Sequence, residues 1–156
     1  MATKTPSFVG LRPASPASSR AKRANRAADT SPEQAVRKQL WRLGLRYRKN
    51  VRGLPGKPDV VFAAARVVVF CDGDFWHGRD WPVLVRKLKQ GANPQYWAAK
   101  IVANRKRDGR INGELTEAGW RVIRLWEGDI LKNPAGAAAR VRRAVEARLP
   151  RSSCAW

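Results

Sequence analysis

Four consecutive apolar residues, Val67-Val68-Val69-Phe70, limit the possible folds more than any other segment of the sequence. β-branched and aromatic residues favour strands, and a strand without alternating polar residues must be covered on both of its faces. The segment therefore predicts the central strand of a sheet that has helices on both sides. Such a strand is typical of an α/β domain.

The other elements follow from apolar spacing and from residues that begin or end helices. Thr30 or Ser31 can cap a first helix that Gly44 ends, and Asn93 can cap a long helix that Gly119 ends. Strands are predicted at residues 45–51, 59–62, 66–71 and 120–126, an irregular segment at 72–91, and a last helix at 135–148. The order α-β-β-β-α-β-α predicts a single domain with a mixed central β-sheet flanked by helices.

The charge balance of the chain indicates a polyanionic partner. Among 156 residues, 32 are Lys or Arg and 12 are Asp or Glu, which gives a net charge of +20. Nucleic acid is the most abundant polyanion in a cell, and seven Trp residues offer surfaces on which bases can stack. Since 44% of the residues are apolar, the chain can also fill a core. These values favour a folded nucleic-acid-binding protein over a disordered basic one.

Cysteine and histidine counts exclude several classes of protein. Cys71 and Cys154 cannot form a disulfide framework, and together with the single histidine, His77, they cannot supply a four-ligand zinc site. The apolar stretch at residues 60–71 contains Arg66 and is too short to span a bilayer. The basic N-terminus lacks the apolar region of a secretory signal. We therefore expect a cytoplasmic protein that does not enter a membrane.

Composition divides the chain into three parts. Residues 1–29 are rich in Ala, Ser, Pro and Arg, and they include the basic residues Arg23 and Arg26. Such an arm cannot bury enough apolar surface to fold alone, so it is either a solvated, disordered tail or a segment that orders on DNA. Residues 30–149 form the predicted domain, and residues 150–156 form a C-terminal tail.

Two polar residues interrupt the apolar stripe of the long helix. Asn104 and Asp108 fall between Ile101 and Ile111 at spacings of three and four residues, which places all four on one helix face. A carboxylate there loses its hydration unless another group stabilises it. Either the helix is frayed and Asp108 pairs with a nearby arginine, or a polar pocket faces the sheet, where Asp108 meets a cation, a water or a histidine.

Further acidic residues and the histidine lie around the predicted central strand. Asp59 opens the preceding strand, and residues 72–77 follow the central strand with two acids, two aromatics and His77. Ligands and catalytic groups often collect at the end of a buried strand in such sheets. A Pro-Asp pair alone is common in turns, and His77 alone would be read as a surface residue beside the core aromatics Phe75 and Trp76. The combination favours a functional site.

Five motifs, in this order, resemble the very-short-patch-repair (Vsr) endonucleases. They are Gly56-Lys57-Pro58-Asp59, Phe70-Cys71-Asp72-Gly73-Asp74-Phe75-Trp76-His77-Gly78, Tyr96-Trp97-Ala98-Ala99-Lys100-Ile101 with Asn104 and Arg107-Asp108, Gly119-Trp120-Arg121-Val122, and Trp126-Glu127. The resemblance covers residues 19–130. It implies a restriction-endonuclease-like core, a variant of the PD-(D/E)XK nuclease fold. It also implies an enzyme that nicks DNA 5′ to the thymine of a T·G mismatch, such as forms when 5-methylcytosine deaminates, and so initiates very-short-patch repair.

The same resemblance implies roles for individual residues. Asp59 matches an aspartate that binds Mg²⁺, and Cys71 falls where the family offers a backbone carbonyl to the same ion. His77 matches a histidine that works with the water nucleophile, and Asp108 matches the aspartate that orients it. Glu33 matches an acid that contacts metal-bound water. These residue types suit phosphodiester hydrolysis, because Mg²⁺ with carboxylates neutralises phosphate charge and a histidine held by a carboxylate can move a proton.

A further set of residues is expected to contact DNA. Aromatic side chains of the family wedge into the duplex beside the mismatch, where pairing is already weak, and basic side chains hold phosphates. The predicted DNA-binding residues are Phe75, Trp76, Trp97, Lys100, Asn104, Arg105, Arg23 and Arg26.

The sequence departs from the family at two places. The family often has histidine where this chain has Asp72, so the acid is either an additional metal ligand or a sign that the role is lost. Some members hold a structural zinc in a His/Cys-rich stretch that here reads Gly78-Arg79-Asp80-Trp81. We therefore expect Mg²⁺ as the cofactor and no structural zinc.

The predicted partner is double-stranded DNA with a T·G mismatch, bound by a monomer in the nucleoid-containing cytoplasm of a bacterium. A functional link to a cytosine-5 methyltransferase is left open. Two other functions are retained: a restriction or structure-specific endonuclease of the same fold, and a DNA-binding module that has lost catalysis. The presence of Asp59, His77 and Asp108 together argues against the inactive module, since binding alone does not need them.

Overall fold

The computed structural model of the protein describes residues 28–149, in which five helices flank one four-stranded sheet. The helices are α1 (Ser31–Arg42), α2 (Trp81–Lys89), α3 (Pro94–Glu117), α4 (Glu127–Lys132) and α5 (Pro134–Arg148). The strands are β1 (Arg48–Lys49), β2 (Val60–Phe62), β3 (Val67–Asp72) and β4 (Arg121–Trp126). The predicted α/β domain with a mixed central sheet is confirmed. Within this part of the chain, no helix combines the length and the apolar character needed to cross a membrane.

The sheet has the strand order β1-β2-β3-β4. The first three strands pair antiparallel, whereas β3 and β4 run parallel and pair over six residues, from Val67 opposite Arg121 to Asp72 opposite Trp126. Val68 in the middle of β3 is fully buried. The prediction of a central strand covered on both faces is therefore confirmed.

Alternate side chains of β3 enter two separate cores. Val69 belongs to the larger core, which also contains apolar residues of α1, β4 and α5. Phe70 points to the other face of the sheet and packs in a smaller core with Ile111 of α3. Because side chains alternate along a strand, Asp72 lies on the same face as Phe70. The end of β3 therefore presents this carboxylate towards α3.

The segment at residues 72–91 is not irregular throughout, as predicted from the sequence, because it contains α2. Asp80 precedes this helix in a left-handed conformation (φ 51°), and Pro82 lies in its first turn. The helix packs along α3 and leaves Val83 44% exposed. None of its residues is fully buried. Asp72 itself is the last residue of β3.

Two further predictions need correction. The strand predicted at residues 45–51 is reduced to Arg48–Lys49, because the preceding residues turn back along α1: the Leu45 N–H donates to the Leu40 carbonyl at 3.1 Å. The short helix α4 directly follows β4 and was not predicted. It is held by Ile130, which is fully buried in the larger core. The observed element order is therefore α-β-β-β-α-α-β-α-α.

Candidate active site

A cavity of about 840 Å³ lies at the carboxyl end of β3. The start of α1, the turn before β2, the loop after β3 and the middle of α3 all contribute to its wall. Five side chains with titratable groups that were predicted from the sequence line it together: Glu33, Asp59, Asp72, His77 and Asp108. The fold thus gathers in one cavity residues that lie far apart in the sequence.

Asp59 is fixed at the entrance to β2 by its own backbone and by that of β3. Its N–H donates to the Val69 carbonyl at 3.0 Å, and its Oδ2 accepts the Cys71 N–H at 2.6 Å. Burial raises the pKa of Asp59 to about 6, and the nearby acids Glu33 and Asp72 also raise it, although the hydrogen bond from Cys71 acts in the opposite direction. Among residues 28–149, no Lys or Arg forms an ion pair with this carboxylate.

The Cys71 side chain is a free, half-buried thiol next to this acid. Burial raises the pKa of the thiol well above its usual range, and the charge of Asp59 adds to this effect. The thiol therefore stays protonated at neutral pH and is a poor nucleophile or metal ligand. Only the backbone of Cys71 is available for the role implied by the resemblance.

His77 and Asp108 form a short hydrogen bond across the cavity. The His77 Nδ1 lies 2.6 Å from Asp108 Oδ2, and the His77 backbone N–H donates to the Gly73 carbonyl at 3.1 Å. An ionised carboxylate can only accept a hydrogen bond. When the imidazole is neutral, its hydrogen therefore lies on Nδ1, and Nε2 is left as an acceptor. The interpretation of a frayed helix is wrong, because α3 continues unbroken to Glu117. Asp108 instead faces a polar pocket in which it meets the histidine, and it also lies 3.6 Å from an arginine, Arg124.

Asp72 is 5% exposed and lies on the same side of the cavity. Its carboxylate accepts from Arg124 Nη1 at 3.0 and 3.1 Å, and its Oδ1 is 3.8 Å from His77 Nδ1. Burial raises the pKa of Asp72, and the charges of His77 and Arg124 oppose that rise. One ligand atom from each of Asp72, His77 and Asp108 lies within 4.8 Å of the others, so these three residues could hold a metal ion by distance.

Glu33 is 3% exposed at the start of α1. Its Oε2 accepts from Arg37 Nη2 at 2.9 Å and from the Asp29 N–H at 2.8 Å, and its Oε1 accepts from the Thr30 hydroxyl at 3.1 Å. Arg37 also pairs with the Asp29 carboxylate at 2.8 Å. Glu33 is therefore held in a network of its own, beside Asp59.

The predicted aromatic wedge forms one cluster at the rim of the cavity. Phe75 and Trp76 of the loop after β3 contact each other edge to face, with ring centroids 5.3 Å apart, and they contact Trp97 of α3 in the same way at 5.5 and 5.7 Å. Phe75 is 37% exposed. These rings are thus not buried in the core, and they leave part of their surface accessible to a ligand.

The other predicted DNA contacts have different surroundings. Lys100 Nζ lies 5.8 Å from the ring centroid of Trp76, and Arg105 is exposed, with its Cζ 5.5 Å from the ring centroid of Trp81. Asn104 is buried, and its Nδ2 donates to the Trp76 carbonyl at 2.8 Å, so the amide anchors the aromatic loop to α3. Arg23 and Arg26 lie outside the described residues.

Two arginines of this site were missed from the sequence. Arg124 belongs to β4 and Arg37 to α1, and each neutralises a buried acid of the cavity. Arg124 faces the same side of the sheet as Val122, so an arginine within the apolar alternation of β4 was the available signal. Its acidic partner could not be identified without the strand register.

Sequence comparisons find relatives of this chain among known proteins. The family model described as DNA mismatch endonuclease Vsr matches residues 15–83. The type II nicking enzyme V.NmeDIP of Neisseria meningitidis serogroup C is 46% identical over 121 residues, which cover 78% of this chain and 80% of the relative. The type II nicking enzyme V.HpaIIP of Haemophilus parainfluenzae is 42% identical, over 78% of this chain and 85% of the relative. The DNA mismatch endonuclease Vsr of Escherichia coli K12 is 35% identical, over 67% of this chain and 65% of the relative.

These relatives are bacterial, and their alignments cover most of the domain that contains the cavity. The identity is too high, and the coverage of both chains too long, for the likeness to reflect a shared fold alone. The chain therefore belongs to the Vsr family of DNA nicking endonucleases, which are phosphodiester hydrolases.

Proposed function

We propose that this enzyme is a Mg²⁺-dependent mismatch endonuclease that nicks the strand 5′ to the thymine of a T·G mismatch and so initiates very-short-patch repair. One observation carries the proposal: one cavity is lined by a carboxylate that has no Lys or Arg partner among residues 28–149, by a histidine held by an aspartate and by one ring of a partly exposed aromatic cluster. The carboxylate is Asp59, the pair is His77 with Asp108, and Trp76 of the cluster lines the cavity wall.

Asp59 fits the role of a magnesium ligand. It is a partly buried carboxylate with neighbouring acids and without an arginine or lysine partner in the described chain, and its pKa is raised mainly by burial and further by those acids. Hard divalent cations prefer such oxygen ligands. Asp59 and the Cys71 carbonyl would hold the ion. When bound, Mg²⁺ supplies charge neutralisation at the scissile phosphate and lowers the pKa of a coordinated water.

His77 is suited to accept the proton of the attacking water. Asp108 fixes the tautomer and the ring orientation through the 2.6 Å hydrogen bond to Nδ1, so Nε2 has a free lone pair. A carboxylate–histidine pair also stabilises the imidazolium that forms when the proton arrives. The proton therefore moves from water to Nε2 while the water oxygen attacks phosphorus. The bond from phosphorus to the leaving deoxyribose oxygen breaks, and that oxygen takes up a proton from solvent.

The aromatic cluster supports a preference for mismatches. Inserting apolar rings between bases costs unstacking energy, and this cost is smallest where pairing is weak. Phe75 and Trp76 stand at the rim of the cavity that holds the catalytic groups, so a base step opened by the rings would lie close to the phosphate being cut. The net charge of +20 provides affinity for the phosphates without regard to sequence.

A second function, nicking at a site without a mismatch, is favoured by one observation. Relatives at 46% and 42% identity carry the name type II nicking enzyme, and that name does not mention a mismatch. The two functions differ in the duplex that is cut, so one assay separates them.

The test uses labelled duplexes that are matched or carry one T·G mismatch in several sequence contexts, with Mg²⁺ or with EDTA. We expect a nick in the T strand of mismatched duplexes that requires Mg²⁺. Asp59→Asn should abolish it, and Glu146→Gln, which changes an exposed acid paired with Arg142 on α5, should nick like the wild type. Nicking of matched and mismatched duplexes at equal rates would support the second function. Binding without nicking in every context would contradict both.

A further inference from the structure

The buried carboxylate of Asp72 has a dedicated cation on the neighbouring strand. Arg124 lies opposite Phe70 in the parallel ladder, and its Nη1 reaches both oxygens of Asp72, at 3.0 and 3.1 Å. A carboxylate that is 5% exposed destabilises a fold unless a cation or several hydrogen bonds compensate it. The arginine provides that compensation from within the chain.

Arg124 is itself fixed by three further contacts. Its Nε donates to Asn112 Oδ1 at 2.8 Å, its Cζ lies 4.3 Å from the ring centroid of Phe70, and its Nη1 is 3.6 Å from Asp108 Oδ1. Asn112 and Asp108 are one turn apart on α3. A single guanidinium therefore links β3 to α3 and lies against both carboxylates that flank His77.

This arrangement bears on where a metal ion can bind. Asp72, His77 and Asp108 are close enough together to be ligands, but Arg124 already lies at ion-pair distance from both carboxylates. A divalent cation shared by those carboxylates would lie next to the guanidinium, and the two positive charges would repel. Asp59 has no such cation among residues 28–149.

We propose that Arg124 is the resident cation of the Asp72–His77–Asp108 cluster and a positioning residue for His77, and that Asp72 is the counter-ion of Arg124 instead of a metal ligand. The inference deepens the proposed nicking function, and the one of its two tests that measures nicking rates rests on that function.

The first test needs neither metal nor substrate. His77 is the only histidine in the chain, so protein labelled with ¹⁵N-histidine, after removal of any tag, gives the signal of one imidazole. In EDTA, the wild type should show Nδ1 as the protonated nitrogen with a slowly exchanging proton. In Arg124→Met that proton should exchange at least about tenfold faster, because the carboxylate that holds it loses its anchor. Arg142→Met, which breaks an exposed pair with Glu146, should leave the signal unchanged.

The second test is a cycle of single-turnover nicking rates. Arg124→Met should lower the rate about 100-fold with DNA affinity within about threefold, because it leaves a buried charge uncompensated. Adding Asp72→Asn to that variant should raise the nicking rate again by at least about tenfold, because the uncompensated charge is removed. Asp72→Asn alone keeps the packing of the site and should leave the Mg²⁺ concentration for half-maximal rate within about threefold.

The results that overturn the inference are distinct from those that overturn the function. If Asp72→Asn raises the Mg²⁺ requirement tenfold or more, Asp72 is a ligand and the inference is wrong. An unchanged His77 signal in folded Arg124→Met also overturns it. If the wild type nicks no T·G duplex, the proposed function fails, while the NMR comparison still decides the role of Arg124. Circular dichroism confirms that each variant is folded.

Discussion

At the scale of single residues, two buried acids and one partly buried acid near one end of β3 differ in how their charge is compensated. Glu33 pairs with Arg37 and Asp72 pairs with Arg124, whereas the carboxylate of Asp59, within residues 28–149, accepts only from a backbone N–H. A carboxylate without a compensating cation, such as Asp59, lowers the stability of the free protein. Binding of a cation to that carboxylate stabilises the protein. The difference among chemically similar side chains therefore separates the residue that would bind a cation from those that hold the site together.

This contrast predicts a pH-dependent stability for the metal-free protein. Because the pKa of Asp59 is about 6 in the folded protein and 3.8 is its ordinary value, the folded state holds the proton more tightly, and stability falls as the pH rises from about 4 to about 6. The Asp59→Asn variant does not lose stability in this way, because its amide does not ionise. In EDTA at pH 8 its free energy of unfolding should therefore exceed that of the wild type by up to about 3 kcal/mol.

Denaturant unfolding in EDTA at pH 4 and pH 8 measures this effect. The two proteins should differ little at pH 4 and clearly at pH 8. Adding Mg²⁺ at pH 8 should stabilise the wild type and leave Asp59→Asn nearly unchanged. An equal gain from Mg²⁺ in both proteins would contradict the assignment of Asp59.

His77 and Asp108 should affect the chemical step far more than DNA binding. Replacing either partner by Ala removes the proton acceptor or its orientation, and we expect the single-turnover rate to fall about 10² to 10⁴-fold. DNA affinity, measured by fluorescence anisotropy in EDTA, should stay within about threefold, because neither side chain contributes positive charge to phosphate binding. A loss of affinity that matches the loss of rate would indicate a binding role instead.

At the scale of elements, the loop after β3 depends on a close approach to α3. Gly78 has φ +70°, and a Cβ atom there would lie 2.8 Å from Ile101 Cγ2 and 3.0 Å from Arg105 Cδ. Asn104 of the same helix holds the loop through the Trp76 carbonyl. The aromatic cluster and His77 are therefore positioned by α3 as a unit, and α3 also supplies Asp108.

A pair of glycine substitutions tests this dependence. Gly78→Ala should destabilise the protein by about 2 kcal/mol, because it combines a left-handed backbone with a steric clash, and should lower nicking further by displacing the loop. Gly113→Ala, in the middle of α3 with open space around it, should stabilise by about 0.5 to 1 kcal/mol. Thermal unfolding and nicking rates of both variants measure the difference. Equal stabilities would show that the loop tolerates movement away from α3.

At the scale of the whole molecule, the excess of 20 positive charges should dominate affinity for DNA. If the protein contacts six or more phosphates, the binding constant should fall at least about 10³-fold between 50 and 200 mM salt. Anisotropy titrations at several salt concentrations give the slope. Arg105→Ala should reduce the slope by about one on matched and mismatched duplexes alike, since a phosphate contact carries no sequence information. An effect confined to the mismatched duplex would assign Arg105 to recognition of the lesion.

The sequence by itself determined the central strand, the long helix and the family, because these depend on local patterns: an uninterrupted apolar run, a stripe at helical spacing and motifs in a fixed order. It also singled out Asp108, since an acid on an apolar helix face is costly wherever the helix packs. The resemblance to the family, and no pattern of its own, selected Glu33. It failed at β1, α2 and α4, where tertiary contacts decide the structure more than local preference does.

Only the tertiary structure decided how charges pair. The register of β3 with β4 brings Arg124 to Asp72, which is 52 positions away, and the packing of α3 on the sheet brings Asp108 to His77. Pairing of this kind depends on distances between elements, which a linear sequence does not contain. The division of the acids into paired and unpaired groups, and with it the candidate position of the metal ion, therefore follows from the fold, because electrostatic energy depends on separation and burial.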